Sequence, residues 1–190
     1  MSLRSTLKTL ITAFCFCLAV PTPATAQEPA PRRHGFWFLV GAGYGSARID
    51  CDHCNANYDP GLAGTLALGA TLSEQLLVGV ESDWWSRDDD GVWTGVGNVS
   101  AVGYFFPRRD LGLFFKAGAG VAGFHSTGFG PDQDQFGFGL IGGVGCEFPV
   151  RGGFSLVPMA SYHWGHIGDE GNFTGVSQDF FQLGIGVYIP

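Results

Sequence analysis

The closing run of the chain restricts the fold more than any other stretch. Phe181, Leu183, Ile185, Val187 and Ile189 alternate with Gln182, Gly184, Gly186 and Tyr188. A strand sends successive side chains to opposite faces. One face of this run is therefore wholly apolar, and the other is small or amphipathic. A strand that closes a soluble domain rarely needs so unbroken an apolar face. A strand facing lipid does.

The same alternation recurs along the chain. Eight strand-like runs are predicted, at about residues 36–48, 61–72, 76–86, 92–106, 111–124, 135–148, 154–164 and 180–189. Each is near or above the roughly 9–11 residues that a tilted membrane-crossing strand needs. In the second run Leu62, Leu66, Leu68 and Leu72 share a face opposite Thr65, Ala67 and Thr71. In the third, Leu76, Val78, Val80 and Trp84 oppose Glu81 and Asp83; in the fifth, Phe115 and Val121 oppose Lys116. The fourth run sorts poorly. Asn98 and Ser100 belong inside, yet Val102 and Tyr104 share their parity, which predicts a bulge.

The connectors differ in character. Residues 73–75, 107–110 and 149–153 are short and turn-like, whereas 50–60, 125–134 and 165–179 are long and acidic. Short periplasmic turns and longer outer loops are the asymmetry of outer-membrane barrels. Residues 87–91 fall where an outer loop belongs and are short, so the flanking strands extend past the membrane. Aromatic residues gather near run ends. Phe36, Trp37, Phe38, Tyr104, Phe105, Phe106, Phe148 and Phe154 form one predicted belt; Trp84, Trp85, Trp93, Phe124, Phe136, Trp164 and Phe180 form the other.

The start of the chain reads as a secretory signal over residues 1–26. Arg4 and Lys8 precede an apolar core from Leu10 to Val20, and Ala24-Thr25-Ala26 is a small-residue cleavage site. Residues 27–34 read as a flexible leader, and 35–190 as the barrel domain. No later stretch is apolar and long enough for a membrane helix, so an exported chain of this kind is a soluble protein or a membrane barrel. Arg4 and Lys8 are two of the ten basic residues, so export leaves eight against 17 acidic ones. That balance argues against nucleic acid as a partner. The 31 glycines lie inside apolar runs without a repeat period, as strands packed around a narrow interior require.

The closing run also resembles the C-terminal signal of bacterial outer-membrane barrels, with Gln182, Gly184, Val187 and Ile189 in the signal's places. With the eight runs, the turn pattern and the leader, the chain from about Phe36 to Pro190 resembles the small outer-membrane β-barrel family that includes opacity-protein-like surface antigens. The resemblance implies an all-β, eight-stranded antiparallel up-and-down transmembrane barrel in the outer membrane of a Gram-negative-type bacterium. It implies a monomer surrounded by outer-membrane lipid and lipopolysaccharide, with an extracellular ligand at the loops. It names no cofactor and little biochemistry.

Candidate site residues follow from the faces. Glu81, Asp83, Lys116, Glu147 and His163 fall on the inward face. An eight-stranded barrel is just wide enough for side chains to fill, and a buried charge must be paired or hydrated. Lys116 with Glu81 or Asp83 is the obvious pair. Cys51-Asp52-His53-Cys54 in an exported loop reads first as a Cys51–Cys54 disulfide. Its metal alternative is Cys51, His53 and Cys54 on zinc, with His125 or His166 recruited. The acidic groups Asp88 to Asp90, Asp132 with Asp134, and Asp169 with Glu170 read as a solvated outer surface. Ser161, His163 and Glu170 are the enzymatic alternative. Some outer-membrane barrels are lipid A deacylases with a His-x-Ser pair and a later acid; the order here is Ser-x-His. Gly118, Gly120 and Gly123 match a dinucleotide fingerprint by letters, but no helix can open there. A soluble lipocalin-like carrier is the remaining alternative, from Gly35-Phe36-Trp37.

Overall fold

A computed structural model describes residues 33–50, 57–108, 110–127, 133–150, 152–170 and 173–190. Among the described residues there are nine strands: β1 (Phe36–Asp50), β2 (Asp59–Ser73), β3 (Leu76–Asp89), β4 (Val92–Phe105), β5 (Leu113–Thr127), β6 (Gln133–Cys146), β7 (Phe148–Val150), β8 (Phe154–Glu170) and β9 (Phe173–Ile189). Every pairing is antiparallel between neighbours, and β1 pairs with β9 to close the sheet. Strands β6 and β7 both pair with β8 in one unbroken register, from Gly145 opposite Met159 to Phe148 opposite Leu156. They form a single stave interrupted at Glu147, so the barrel has eight staves.

The registers fix its shape. Paired residues lead from Phe38 through Leu68, Val80, Ala101, Ala119, Leu140, Trp164 and Asp179 back to Arg48 on β1. One circuit therefore advances ten residues along β1, from 38 to 48. With roughly 3.3 Å per residue and 4.8 Å between strands, that stagger tilts the strands by about 40°. This is the tilt of small outer-membrane barrels.

The predicted faces hold on the staves where they sorted. Leu62, Leu66, Leu68, Val80, Phe115, Val121, Phe138, Leu140, Leu183 and Ile185 point outward and are exposed, while Thr65, Glu81, Asp83, Lys116 and His163 are buried inside. Several finer expectations are corrected. Strand β4 carries no bulge: its registers with β3 and β5 run without a shift. Val102 and Tyr104 do share the interior with Asn98 and Ser100, because the interior is layered rather than uniformly polar. Residues 165–170 and 173–179 are strand rather than loop; β8 and β9 continue as a paired ladder to Glu170 and Phe173. A third of the predicted belt residues also turn inward. Trp37, Tyr104, Phe106, Trp85 and Phe180 are buried in the lumen, since adjacent residues of a strand cannot both face lipid.

Three layers fill the barrel. At the periplasmic end, Trp37, Leu77, Phe106, Phe114, Val157 and Tyr188 pack as an aromatic and aliphatic plug. The middle is polar. Above it Ala47, Trp85, Val96 and Phe180 form a second apolar layer. Glycine makes the lower layer possible: a Cβ on Gly69 or Gly79, which face each other in register, would come within 2.7 or 2.9 Å of the Trp37 ring. At the opposite end, Asp90 (φ 50°) and Gly91 (φ 86°) form the two-residue hairpin joining β3 to β4. A turn with both central residues at positive φ matches the right-handed twist of its strands, and Asp-Gly suits it.

Candidate functional site

The middle layer gathers most of the predicted inward charges. Lys116 pairs with Glu81 with both side chains fully buried, and the Tyr104 hydroxyl donates to the other oxygen of Glu81. Thr65 Oγ1 donates to Asp83 Oδ1 at 2.6 Å, and Gln182 Nε2 donates to both Thr65 Oγ1 (2.9 Å) and Asp83 Oδ1 (3.0 Å). His163 Nδ1 stands 3.8 Å from Asp83 Oδ2, and its ring stacks on Phe180 at 4.0 Å. A Cβ on Gly143 would come within 2.8 Å of Lys116 Cε; a bare backbone there gives the lysine its room. The arrangement joins β2, β3, β4, β5, β8 and β9 across the lumen.

Glu147 lies apart from this network. It sits where the β6–β7 stave breaks, and Arg33 binds its Oε2 through Nη2 (2.6 Å) and Nε (3.0 Å). Ser155 Oγ donates to Oε1 at 2.8 Å, and the Arg33 guanidinium lies 3.7 Å over the Phe106 ring. Arg33, read from sequence as part of a flexible leader, is thus a buried latch on the periplasmic mouth. A buried arginine pair of this kind is costly to break. A cavity of about 10 Å³ within the lower layer is no larger than one water needs. The described side chains thus fill the lumen in three layers. A lipocalin-like carrier needs the reverse: an open interior and a polar exterior.

Ser161 and His163 both face this sealed interior and are buried. Ser161 Oγ and both His163 nitrogens lack hydrogen-bond partners, so the two do not form a nucleophile–base pair. Glu170 lies at the outer end of β8, its backbone opposite Phe173. The structure does not bring the three together. Cys51, His53 and Cys54 lie outside the described residues. His125 and His166 are on outward faces, in contact with Trp93 and Trp164 respectively. Cys146 is buried at the periplasmic end, its thiol toward the Leu111 carbonyl at 3.5 Å. The Gly118 to Gly123 segment is strand, as its sequence requires.

Among the described residues, a bowl of about 590 Å³ lies at the outer end, floored by Ala47, Ile49 and Trp85 and walled by Asp59, Arg87, Asp89 and Asp90. Arg87 bonds Asp59 Oδ1 at 2.7 Å and Asp89 Oδ2 at 3.0 Å. Just outside the mouth, on the wall of the barrel, Arg48 Nε donates to Asp179 Oδ2 at 2.9 Å, and Tyr58 donates to the other oxygen of Asp179. Partial burial, then the bond to Asp179, pushes the Tyr58 hydroxyl up to about 12. Inward parity alone marked the charged residues. It also marks Thr65, Tyr104 and Gln182, which the sequence reading left out of the network, and nothing local marks Arg33.

A family profile described as the outer membrane protein beta-barrel domain matches residues 12–188. No curated protein sequence matches the chain. Among solved structures, Neisserial surface protein A aligns with a TM-score of 0.53 at 18% identity, over 80% of this chain and 96% of that one. Ail, the attachment invasion locus protein of Yersinia pestis, aligns with a TM-score of 0.52 at 18% identity, over 82% and 99%. Ail in complex with the heparin analogue sucrose octasulfate gives 0.50 over the same shares. These likenesses show the same fold: a closed eight-stranded antiparallel barrel. With most of its length matched by the profile, the chain belongs to the outer membrane β-barrel family, and that membership implies an outer-membrane location.

Proposed function

We propose that this protein is a monomeric surface-interaction barrel, exported by a leader cleaved after Ala26, that offers its acidic outer mouth to a cationic partner outside the cell. The observation that carries the reading is the contrast, among the described residues, between a filled lumen and a bowl of about 590 Å³ at the outer end. That volume lies in the range of ligand pockets, roughly 300–1,000 Å³. Transport would need the reverse distribution of space. Asp59, Asp89 and Asp90 outnumber Arg87 around the bowl, so its field favours positive charge. A polyanion of the kind named with Ail would meet carboxylates here. Outer-membrane lipid, lipopolysaccharide included, covers the outward wall.

Two measurements test the reading. Protein extracted from the outer-membrane fraction should change electrophoretic mobility on boiling in detergent; a soluble periplasmic protein with no shift would contradict it. Cells displaying the barrel should bind an oligolysine peptide, and Asp59→Asn with Asp89→Asn should weaken that binding by about tenfold, or about 1.4 kcal/mol. Binding of a sulfated oligosaccharide instead, or no change in the variant, would overturn the cationic assignment.

A further inference from the structure

The bowl at the outer end joins two chemistries. Its base is apolar: Ala47 and Ile49 come from β1, Trp85 from β3 and Val92 from β4. Beneath it Val96 and Phe180 are buried against Trp85, with Ile49 and Phe124 packed alongside. A Cβ on Gly61 of β2 would come within 2.6 Å of the Trp85 ring, so a bare backbone lets the indole close that side of the base. The wall above is charged. Arg87 spans two of its carboxylates, giving Nη1 to Asp59 and Nη2 to Asp89. Asp90 is exposed at the tip of the β3–β4 hairpin and has no partner among the described residues. Asp88 is occupied by the turn itself, its Oδ1 accepting the Gly91 N–H at 3.3 Å.

Charge alone does not account for this shape. A ligand that met only the wall would leave the apolar base to water. Hydrocarbon laid against that base removes both surfaces from water with a gain in free energy. Ligand pockets as a class are lined mainly by apolar groups, with a few polar ones that fix orientation. Asp90 supplies the orientation, since an ammonium gains most beside a carboxylate that no internal cation already offsets. Trp85 and Asp89 are four positions apart on β3, which is about 10 Å along the axis at the tilt found above. A ligand that fills the bowl therefore carries positive charge at one end and about 10 Å of apolar body below it.

We propose that the bowl is a binding site for an amphipathic amine: a primary ammonium held at Asp90, on an aromatic or aliphatic body that lies against Ile49 and Trp85. The site rests on the reading of the mouth as cation-binding, and narrows it from positive charge in general to positive charge on an apolar body. An anionic molecule of the same shape would meet Asp59, Asp89 and Asp90, and the one arginine in the wall, Arg87, is already engaged by two of them. A neutral molecule would cover the base and leave Asp90 unused.

The test uses the full mature barrel in phosphatidylcholine nanodiscs, in samples whose boiling-dependent mobility shift shows it folded. Tryptamine is titrated near neutral pH by calorimetry, with empty nanodiscs subtracted. Tryptamine should bind. Tryptophol, which has the same indole and a hydroxyl in place of the ammonium, should bind about tenfold more weakly, or by about 1.4 kcal/mol. Asp90→Asn should weaken tryptamine binding by a similar factor; Asn-Gly suits the same hairpin turn, so this variant keeps the fold. Ile49→Ser should weaken tryptamine binding and leave oligolysine binding in place. Oligolysine binding without tryptamine binding would overturn this proposal and leave the cationic reading standing, whereas failure of both ligands would overturn both. Equal binding of tryptophol, or unchanged tryptamine binding in Asp90→Asn, would also overturn the proposal.

Discussion

Lys116 on β5 and Arg87 on β3 both point to the axis of the barrel, and both bind carboxylates, yet they sit in opposite circumstances. Lys116 and its partner Glu81 are wholly withdrawn from solvent. Arg87 is 30% exposed, and its partners Asp59 and Asp89 are 55% and 69% exposed. The same chemistry therefore does different work at two heights. In the middle layer each charge has lost its water, and its burial is tolerable only through its ion pair and hydrogen bonds. At the mouth, water can replace either partner at little cost. The lesson is that the interior network fixes the barrel, whereas the mouth is free to exchange its internal pairs for an external one.

The largest effect should come from breaking the buried side of this contrast. Lys116→Met leaves Glu81 buried and unpaired and should lower unfolding stability by about 3–5 kcal/mol. The midpoint of urea unfolding in lipid or micelles reads this. Adding Glu81→Leu should restore much of the loss, because the cost lies in the orphaned charge. Arg33→Met should cost about 3 kcal/mol by the same mechanism, acting on Glu147 at the periplasmic mouth. Arg87→Ala should change stability by no more than about 1 kcal/mol while altering oligolysine binding. A large stability loss there would erase the distinction between the layers. The smallest effect concerns Tyr58, half exposed beside the mouth. Its hydroxyl titrates at about 12 in the fold and at 10.0 ordinarily. A raised folded value gives stabilisation that is full below pH 10 and lost as pH rises through about 12. Ultraviolet titration of Tyr58→Phe should show one fewer late-titrating tyrosine than the parent protein.

The staves and their inward charges were legible because parity is a one-bit code: Glu81 and Asp83 oppose Val80 and Trp84 whatever the register. What parity does not contain is depth. Val102 and Tyr104 looked misplaced beside Asn98 and Ser100 because the sequence does not say that the lumen changes from polar to apolar along its axis. The ladder of residues 165–170 and 173–179 reads as loop because its polar and glycine-rich composition imitates one, although paired backbone alone can carry strands past the membrane. Arg33 could not be found from pattern at all. Its partner is 114 positions away, and only closure of the barrel brings Glu147 to it.

The measurement that most directly tests the central claim, a sealed lumen beneath an open mouth, is ion conductance of the purified barrel in a planar lipid bilayer. Protein whose mobility shift shows it folded should give no conductance steps, because the Arg33 latch, the aromatic plug and the Lys116 network block the axis in series. Stable, reproducible steps from the unmodified barrel would contradict it and move the function from the mouth to the lumen.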